Sequence, residues 1–143
     1  MKKILIIVLT MFLSLSAFAS ERVQVTLSRI YDGDTIEVIN EQNVKENIRL
    51  VGIDCFETKE IHRAYTQAYK NKMSIEEVTA KGVQQKKALV KLFETNNKKH
   101  LYLLRQGKDA YGRTLGIIYL GRLNINQYMI NSGNATEYVY IKQ

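Results

Sequence analysis

Three short segments of this sequence place charge where a folding chain has little use for it. Asp32-Gly33-Asp34 lies between two apolar runs, and Arg49-Leu50-Val51-Gly52-Ile53-Asp54-Cys55-Phe56-Glu57-Thr58 sets an arginine among Leu, Val and Ile and ends on two carboxylates. Asp109-Ala110-Tyr111-Gly112-Arg113 carries an arginine at the mouth of a further apolar run. Singly, each has an ordinary explanation. Asp and Gly are common turn residues, and Arg49, opposite in parity to Ile48 and Leu50, could face solvent on a strand. Together they supply what phosphodiester hydrolysis needs. Asp34 and Asp54, with a backbone carbonyl, are hard oxygen ligands for a divalent cation. Glu57 is a spare carboxylate able to orient or deprotonate water. Arg49 and Arg113 can grip phosphate oxygens bidentately and stabilise the charge that builds up in the transition state; lysine, a point charge without the planar fork, would serve less well.

The elements that must position these residues can be read from hydrophobic period. Val23, Val25 and Leu27 alternate with polar residues, as does Thr35 to Ile39, with the Tyr31–Asp34 turn between them. Asn40 to Asn43 reads as a second turn and Val44 to Ile53 as a third, longer strand entering the core. The period then changes: Ile61, Ala64, Tyr65 and Ala68 fall at helical spacing within Lys59 to Tyr69. Ser74 and Glu77 fit a capping box opening a further helical stretch, which Gly82 is expected to interrupt. Val83, Leu89, Val90, Leu92 and Phe93 continue as an amphipathic helix with a Lys-rich outer face. His100 to Arg105 and Tyr111 to Leu120 read as strands around a turn at Gly107. Asn126 to Ser132 reads as a short helix closed by Gly133, and Tyr138-Val139-Tyr140 as extended chain. The expected fold class is α+β, mainly β: a five-stranded OB-like Greek-key barrel with inserted and packed helices, a plan that favours nucleic-acid and sugar ligands.

The chain of 143 residues has room for one domain. Lys2 and Lys3, the apolar run Ile4–Phe18 and the small residues of Ala17-Phe18-Ala19 read as a signal peptide over 1–19, leaving a domain over 20–143. The apolar run is shorter than the roughly 20 residues a bilayer span needs, so export to the periplasm or the medium, without a stable membrane anchor, is expected. The leader takes two lysines and no acid with it, lowering the net charge from +7 to +5. A small basic domain outside the cytoplasm attracts acidic partners, nucleic acid foremost. The single cysteine, Cys55, rules out an internal disulfide. There is no Pro, no repeat and no linker signal.

The three charged blocks, in their order and spacing, resemble the signature blocks of the staphylococcal nuclease (thermonuclease) family: Tyr31-Asp32-Gly33-Asp34-Thr35, Arg49-Leu50 through Asp54 to Glu57-Thr58, and Asp109 through Tyr111-Gly112-Arg113-Thr114-Leu115. The resemblance runs from about Val23 to Tyr140. It implies a nuclease cutting DNA and RNA with Ca²⁺ as cofactor. Asp34 and Asp54 would be the metal carboxylates, the main-chain carbonyl of Cys55 a further ligand, and Asp32 an acid close to the ion. Glu57 would act on water, Arg49 and Arg113 would bind phosphate, and Tyr111, Tyr138 and Tyr140 would line the nucleotide pocket. A monomer is expected.

The sequence also departs from the family pattern. Ala110 stands where a lysine is frequent, Phe56 where a proline is, and Lys59–Lys81 is longer than in the type protein. The family's C-terminal helix has no counterpart before Gln143. The rival expectation is a catalytically silent OB module that binds nucleic acid or protein, a class that typically loses the carboxylates or arginines retained here. A binding protein for sugar or peptide would leave Arg49 and Arg113 unexplained.

Overall fold

A computed structural model describes residues 21–139; the expected leader and Tyr140 lie outside them. The alternating segments become β1 (Val23–Ile30), β2 (Thr35–Ile39) and β3 (Lys45–Leu50), an antiparallel meander. The third strand is shorter than its apolar composition suggests. At Gly52 the backbone takes φ +80°, open to glycine at no steric cost, and the chain bends before the two-residue β4 (Ile53–Asp54). Helices α1 (His62–Asn71) and α2 (Ile75–Thr95) follow. Then β5 (Leu101–Lys108) pairs antiparallel with β1, and β6 (Thr114–Leu120) antiparallel with β5. Parallel pairing of β6 with β3 closes the five strands into a barrel, leaving none of the five with an open edge along its whole length. A short β7 (Leu123–Asn124) adds to β6, α3 (Ile125–Asn131) follows, and β8 (Thr136–Glu137) pairs with β4. The α+β, OB-like plan expected from the sequence is the one observed.

Period-2 burial is clearest in β6, where Thr114, Gly116, Ile118 and Leu120 point inward. They meet Val25, Ile36, Val38, Ile48, Leu50 and Leu103, while Leu89 and Leu92 of α2 and Ile125 and Met129 of α3 close the barrel ends. The seam among β3, β5 and β6 is also polar. Glu46 accepts from Arg105 Nε at 3.0 Å and from the Thr114 hydroxyl at 2.7 Å, and Arg105 also grips Glu41. Among the described residues no helix is long and apolar enough to cross a membrane.

Two glycines do something other than expected. Gly82 does not interrupt its helix: α2 runs unbroken through it for 21 residues, from the Ser74–Glu77 capping box, in which Ser74 Oγ accepts from Glu77 N at 3.1 Å and Glu77 Oε2 from Ser74 N at 2.7 Å. Its missing side chain serves tertiary packing, because a Cβ there would lie 2.2 Å from the Glu57 carbonyl oxygen. Gly107 makes no turn; it sits within β5 at a break in register. The reversal comes later, at Asp109–Arg113, where Asp109 N donates to Arg113 O at 3.0 Å. The sixth strand accordingly begins at Thr114 rather than Tyr111. Gly133 follows α3 with φ +74°, as expected of a C-terminal stop. Beyond β8, Tyr138 N donates to Gly52 O at 2.9 Å, tying the last described residues to the bend before β4.

Candidate active site

Asp34 enters the barrel wall at the end of the first turn. The side chain of Asp32 folds back to accept from Asp34 N at 3.0 Å, and the Asp34 carbonyl accepts from Leu50 N at 2.8 Å. This sets the register in which Thr35 faces Arg49 across β2 and β3. The Asp34 carboxylate is 2% exposed. Its Oδ1 accepts from the Thr35 hydroxyl at 3.0 Å, and its Oδ2 from Cys55 N at 2.7 Å and, as an ion pair at 3.2 Å, from Arg49. Burial pushes its pKa up to about 6, with Asp32 adding to the rise, against the opposing pull of Arg49 and the Cys55 N–H.

Arg49 does not face solvent. It is 4% exposed between two fully buried neighbours, so both faces of β3 are covered at this point. Nη1 donates to the carbonyls of Leu50 and Ile53 at 2.8 and 2.9 Å, spanning the Gly52 bend, and Nη2 donates to Asp54 Oδ1 at 3.0 Å. One guanidinium therefore fixes the bend and draws Asp34 and Asp54 to a common positive group.

The Cys55–Glu57 loop is held by side chains from both helices. Gln67 of α1 accepts from Glu57 N and donates to the Cys55 carbonyl, each at 2.9 Å; Gln85 of α2 accepts from Phe56 N at 2.7 Å. The Cys55 carbonyl thus keeps one of its two lone pairs. Its thiol is buried, points to Asn134 O at 3.4 Å, and has its pKa raised chiefly by burial. Outside this loop stands Arg63 of α1. It donates from Nη1 to Glu57 Oε1 at 2.6 Å and from Nη2 to Asp54 Oδ1.

On the far wall Asp109 Oδ1 accepts from Tyr111 N and Arg113 N, both at 2.9 Å, and Oδ2 accepts from Arg113 Nε at 2.7 Å. Burial alone would raise the Asp109 pKa, but these bonds outweigh it and hold the carboxyl below its usual range. The same carboxylate that shapes the turn thereby aims Arg113. A groove of about 1120 Å³ is lined by Arg49, Glu57, Arg63, Tyr111, Arg113 and Tyr138, among others. Tyr111 is 88% exposed, with its ring 5.6 Å from the Arg113 guanidinium.

Of the residues singled out in the sequence, Asp34, Arg49 and Asp54 converge directly, with Asp32 behind them. Glu57, Arg113, Tyr111 and Tyr138 share the groove. Asp34 lies beneath the surface instead of on the groove wall. Arg63, Gln67 and Gln85 were not anticipated. The two glutamines left a trace as buried polar positions: Gln67 is buried beside Ala64 on α1, and on α2 the buried stripe is Val78, Gly82, Gln85, Leu89 and Leu92, whose two non-aliphatic members are the ones that meet the Glu57 loop.

The donors suit a hard cation. Asp34 and Asp54 offer carboxylate oxygens, among the described residues no histidine bonds to either, and the thiol is protonated and turned away. Among the described residues no three His, Cys, Asp or Glu side chains could by themselves hold a metal ion. Main-chain carbonyl, water and substrate oxygens would have to complete its shell.

Comparison with known proteins finds relatives described as nucleases. The chain is 32% identical over 137 residues to a protein of Haemophilus influenzae described as an uncharacterized endonuclease, covering 96% of this chain and 65% of that one. It is 30% identical over 112 residues to the thermonuclease of Staphylococcus hyicus, covering 78% of this chain and 57% of that protein. It thus spans somewhat under two thirds of the length of these relatives. The model of the staphylococcal nuclease homologues matches residues 47–143, which include Arg49, Asp54, Glu57 and Arg113. On this match over more than half its length, together with the closed barrel, the chain belongs to the staphylococcal nuclease family.

Proposed function

We propose that the chain is an exported, Ca²⁺-dependent nuclease that hydrolyses phosphodiester bonds of DNA and RNA with little sequence selectivity. The observation that carries this reading is the buried Asp34 carboxylate. It is drawn towards Asp54 by a shared arginine, immediately behind a groove that also presents Glu57 and Arg113. A barrel needs no such cluster for stability, because leaving a carboxylate partly desolvated is costly.

When bound, Ca²⁺ supplies charge neutralisation and polarisation of a phosphate oxygen. Asp34, Asp54 and the remaining lone pair of the Cys55 carbonyl are the groups that would hold it. Glu57 Oε1 is bonded to Arg63, which leaves Oε2 to accept a proton from water. Water oxygen bonds to phosphorus as the bond from phosphorus to the 5′-oxygen breaks; that oxygen takes a proton from solvent, and the upstream strand ends in a 3′-phosphate. Arg113 commits only Nε to Asp109, so that among the described residues both terminal nitrogens are open to phosphate oxygens. Arg49 is differently placed: its terminal nitrogens are committed to two carbonyls and two carboxylates, so its positive charge and its Nε–H are what it offers the groove. Tyr111 offers a ring on which any base can stack, consistent with weak selectivity.

The test is plasmid and RNA digestion in Ca²⁺ beside EDTA, with end-group analysis of the products. Cutting only in Ca²⁺, leaving 3′-phosphates, is expected. Full cutting in EDTA would overturn the mechanism, and binding without cutting in either buffer would favour a silent OB module.

A further inference from the structure

The main groove does not end at the carboxylates. A second groove of about 250 Å³ runs between α1 and the β4–β8 ribbon, with Asp54, Thr66, Lys70, Asn71 and Thr136 along it. Arg63 and Tyr138 line both grooves, so the two meet there. Arg63, Thr66, Lys70 and Asn71 are spaced i, i+3, i+7 and i+8, which puts them on adjacent faces of one helix.

Arg63 is built differently from Arg49. Its side chain is 45% exposed. Two of its guanidinium N–H groups hold Glu57 and Asp54, and among the described residues the rest of its five donors meet no acceptor. Without it, a strand leaving the main groove would pass two carboxylates. With it, the strand meets a planar cation with free donors, and then Lys70 about two helical turns along.

We propose that the groove along α1 is a subsite for the phosphodiester strand flanking the cut, with Arg63 gripping the phosphate at its entrance and Lys70 a phosphate beyond. The inference rests on the nuclease reading and adds a specificity: polynucleotides should be favoured over mononucleotides through contacts made by α1.

The test is equilibrium binding in Ca²⁺ buffer, across a salt series, of a short labelled oligothymidylate whose phosphorothioate linkages slow cleavage. A mononucleoside 3′,5′-bisphosphate is titrated alongside. Arg63→Gln should weaken strand binding roughly 10- to 100-fold, the scale of a charge-assisted hydrogen bond. It should also lower the slope of log K against log salt by about 0.7, as for one lost contact to a single strand. The strand should lose more than the mononucleotide does, and in Lys70→Gln mononucleotide affinity should stay within about twofold, allowing for context dependence in such contacts. Arg63→Lys should restore the slope and only part of the affinity. Lys70→Gln, an exposed change that touches neither carboxylate, should lower the slope in the same way and so tests the groove even if Arg63→Gln folds poorly. Equal losses for strand and mononucleotide would show that Arg63 acts only through its field on Asp54 and Glu57. An unchanged slope in Lys70→Gln, or tighter strand binding in Arg63→Gln, would overturn the subsite. A wild-type protein that neither binds nor cuts the strand would overturn the nuclease reading itself, a result distinct from all of these.

Discussion

Replacing Gly82 with alanine tests whether helix packing sets the position of Glu57. On propensity alone the change should help, since alanine is favoured over glycine in a helix interior by about 1 kcal/mol. The structure predicts the opposite. The added Cβ would lie 2.2 Å from the Glu57 carbonyl oxygen, 2.6 Å from its carbonyl carbon and 2.7 Å from the Phe56 oxygen, all backbone atoms that cannot rotate away. Ordinary contact begins near 3.4 Å, so helix and loop must separate by on the order of 1 Å. Overpacking of this kind costs about 1–3 kcal/mol, and the separation stretches the Gln85 bond to Phe56 N. Net destabilisation of up to about 2 kcal/mol is therefore expected after the propensity gain is subtracted. Turnover should fall much further than stability suggests, by about 10²-fold, the scale of an ångström's misplacement at a reacting centre. Urea unfolding and kcat on the folded variant measure the two effects. Ala80→Gly, on the exposed side of the same helix, is the control: it should lose about 1 kcal/mol and keep its kcat. A Gly82→Ala protein that is stabilised and fully active would show that the loop is not positioned by this contact.

Glu57→Gln should lower kcat by about 10²- to 10⁴-fold while leaving mononucleotide affinity nearly unchanged, measured by steady-state kinetics and direct titration. Ca²⁺ should raise the melting temperature through binding worth about 2.7 kcal/mol at a hundredfold excess over Kd, and Asp34→Ala should lose that rise; an equal rise in both proteins would place the ion elsewhere. Glu46 is held down to about 2, first by its bond to Arg105, against a usual 4.5. Its contribution is present above pH 4.5 and lost as pH falls towards 2, so the stability gap between wild type and Glu46→Gln should close over that acid window and stay constant above it. Expression of the full chain in a secreting host should release a protein whose N-terminal sequence begins at Ser20, and an intact Met1 in the exported product would refute the leader.

Strand positions were legible because alternation is a local property, and it survives in β1, β2 and β6. The three charged blocks were legible for a related reason: each is contiguous, and a strand such as β3 has no packing use for Arg49. What escaped depends on approach between distant segments. Gly82 was read by the local rule that glycine weakens a helix, whereas its role is set by a loop some 25 residues earlier. Gly107 likewise carries φ +126° inside a strand, where a turn was expected. Gln67 and Gln85 were visible only as polar residues on buried helix faces. Arg63 carried no periodic signal at all, being one exposed cation among many on a basic chain.

The three arginines divide the work by depth. Arg49 donates to two main-chain carbonyls and pairs with two carboxylates. Moving it would leave buried acceptors unpaired, at about 1–3 kcal/mol for each neutral group and more for the acids. It therefore fixes the scaffold and stays with it when ligands arrive. Arg63 holds two acids and Arg113 one, each with part of the guanidinium, and among the described residues the rest meets no acceptor, on side chains 45% and 34% exposed. An anion entering the groove can be met by these outer two without disturbing the inner one. The acids follow the same gradient. Asp34, the most deeply placed, is the one in which burial outweighs the bonds that favour the charge, and hence the one with most to gain from a neighbouring cation. Glu57 sits at the groove with one oxygen uncommitted among the described residues. On the proposed nuclease reading, a fixed inner layer that concentrates negative charge, behind an outer layer of partly free cations, would take up a divalent ion and a phosphate together, each making the other's binding less costly.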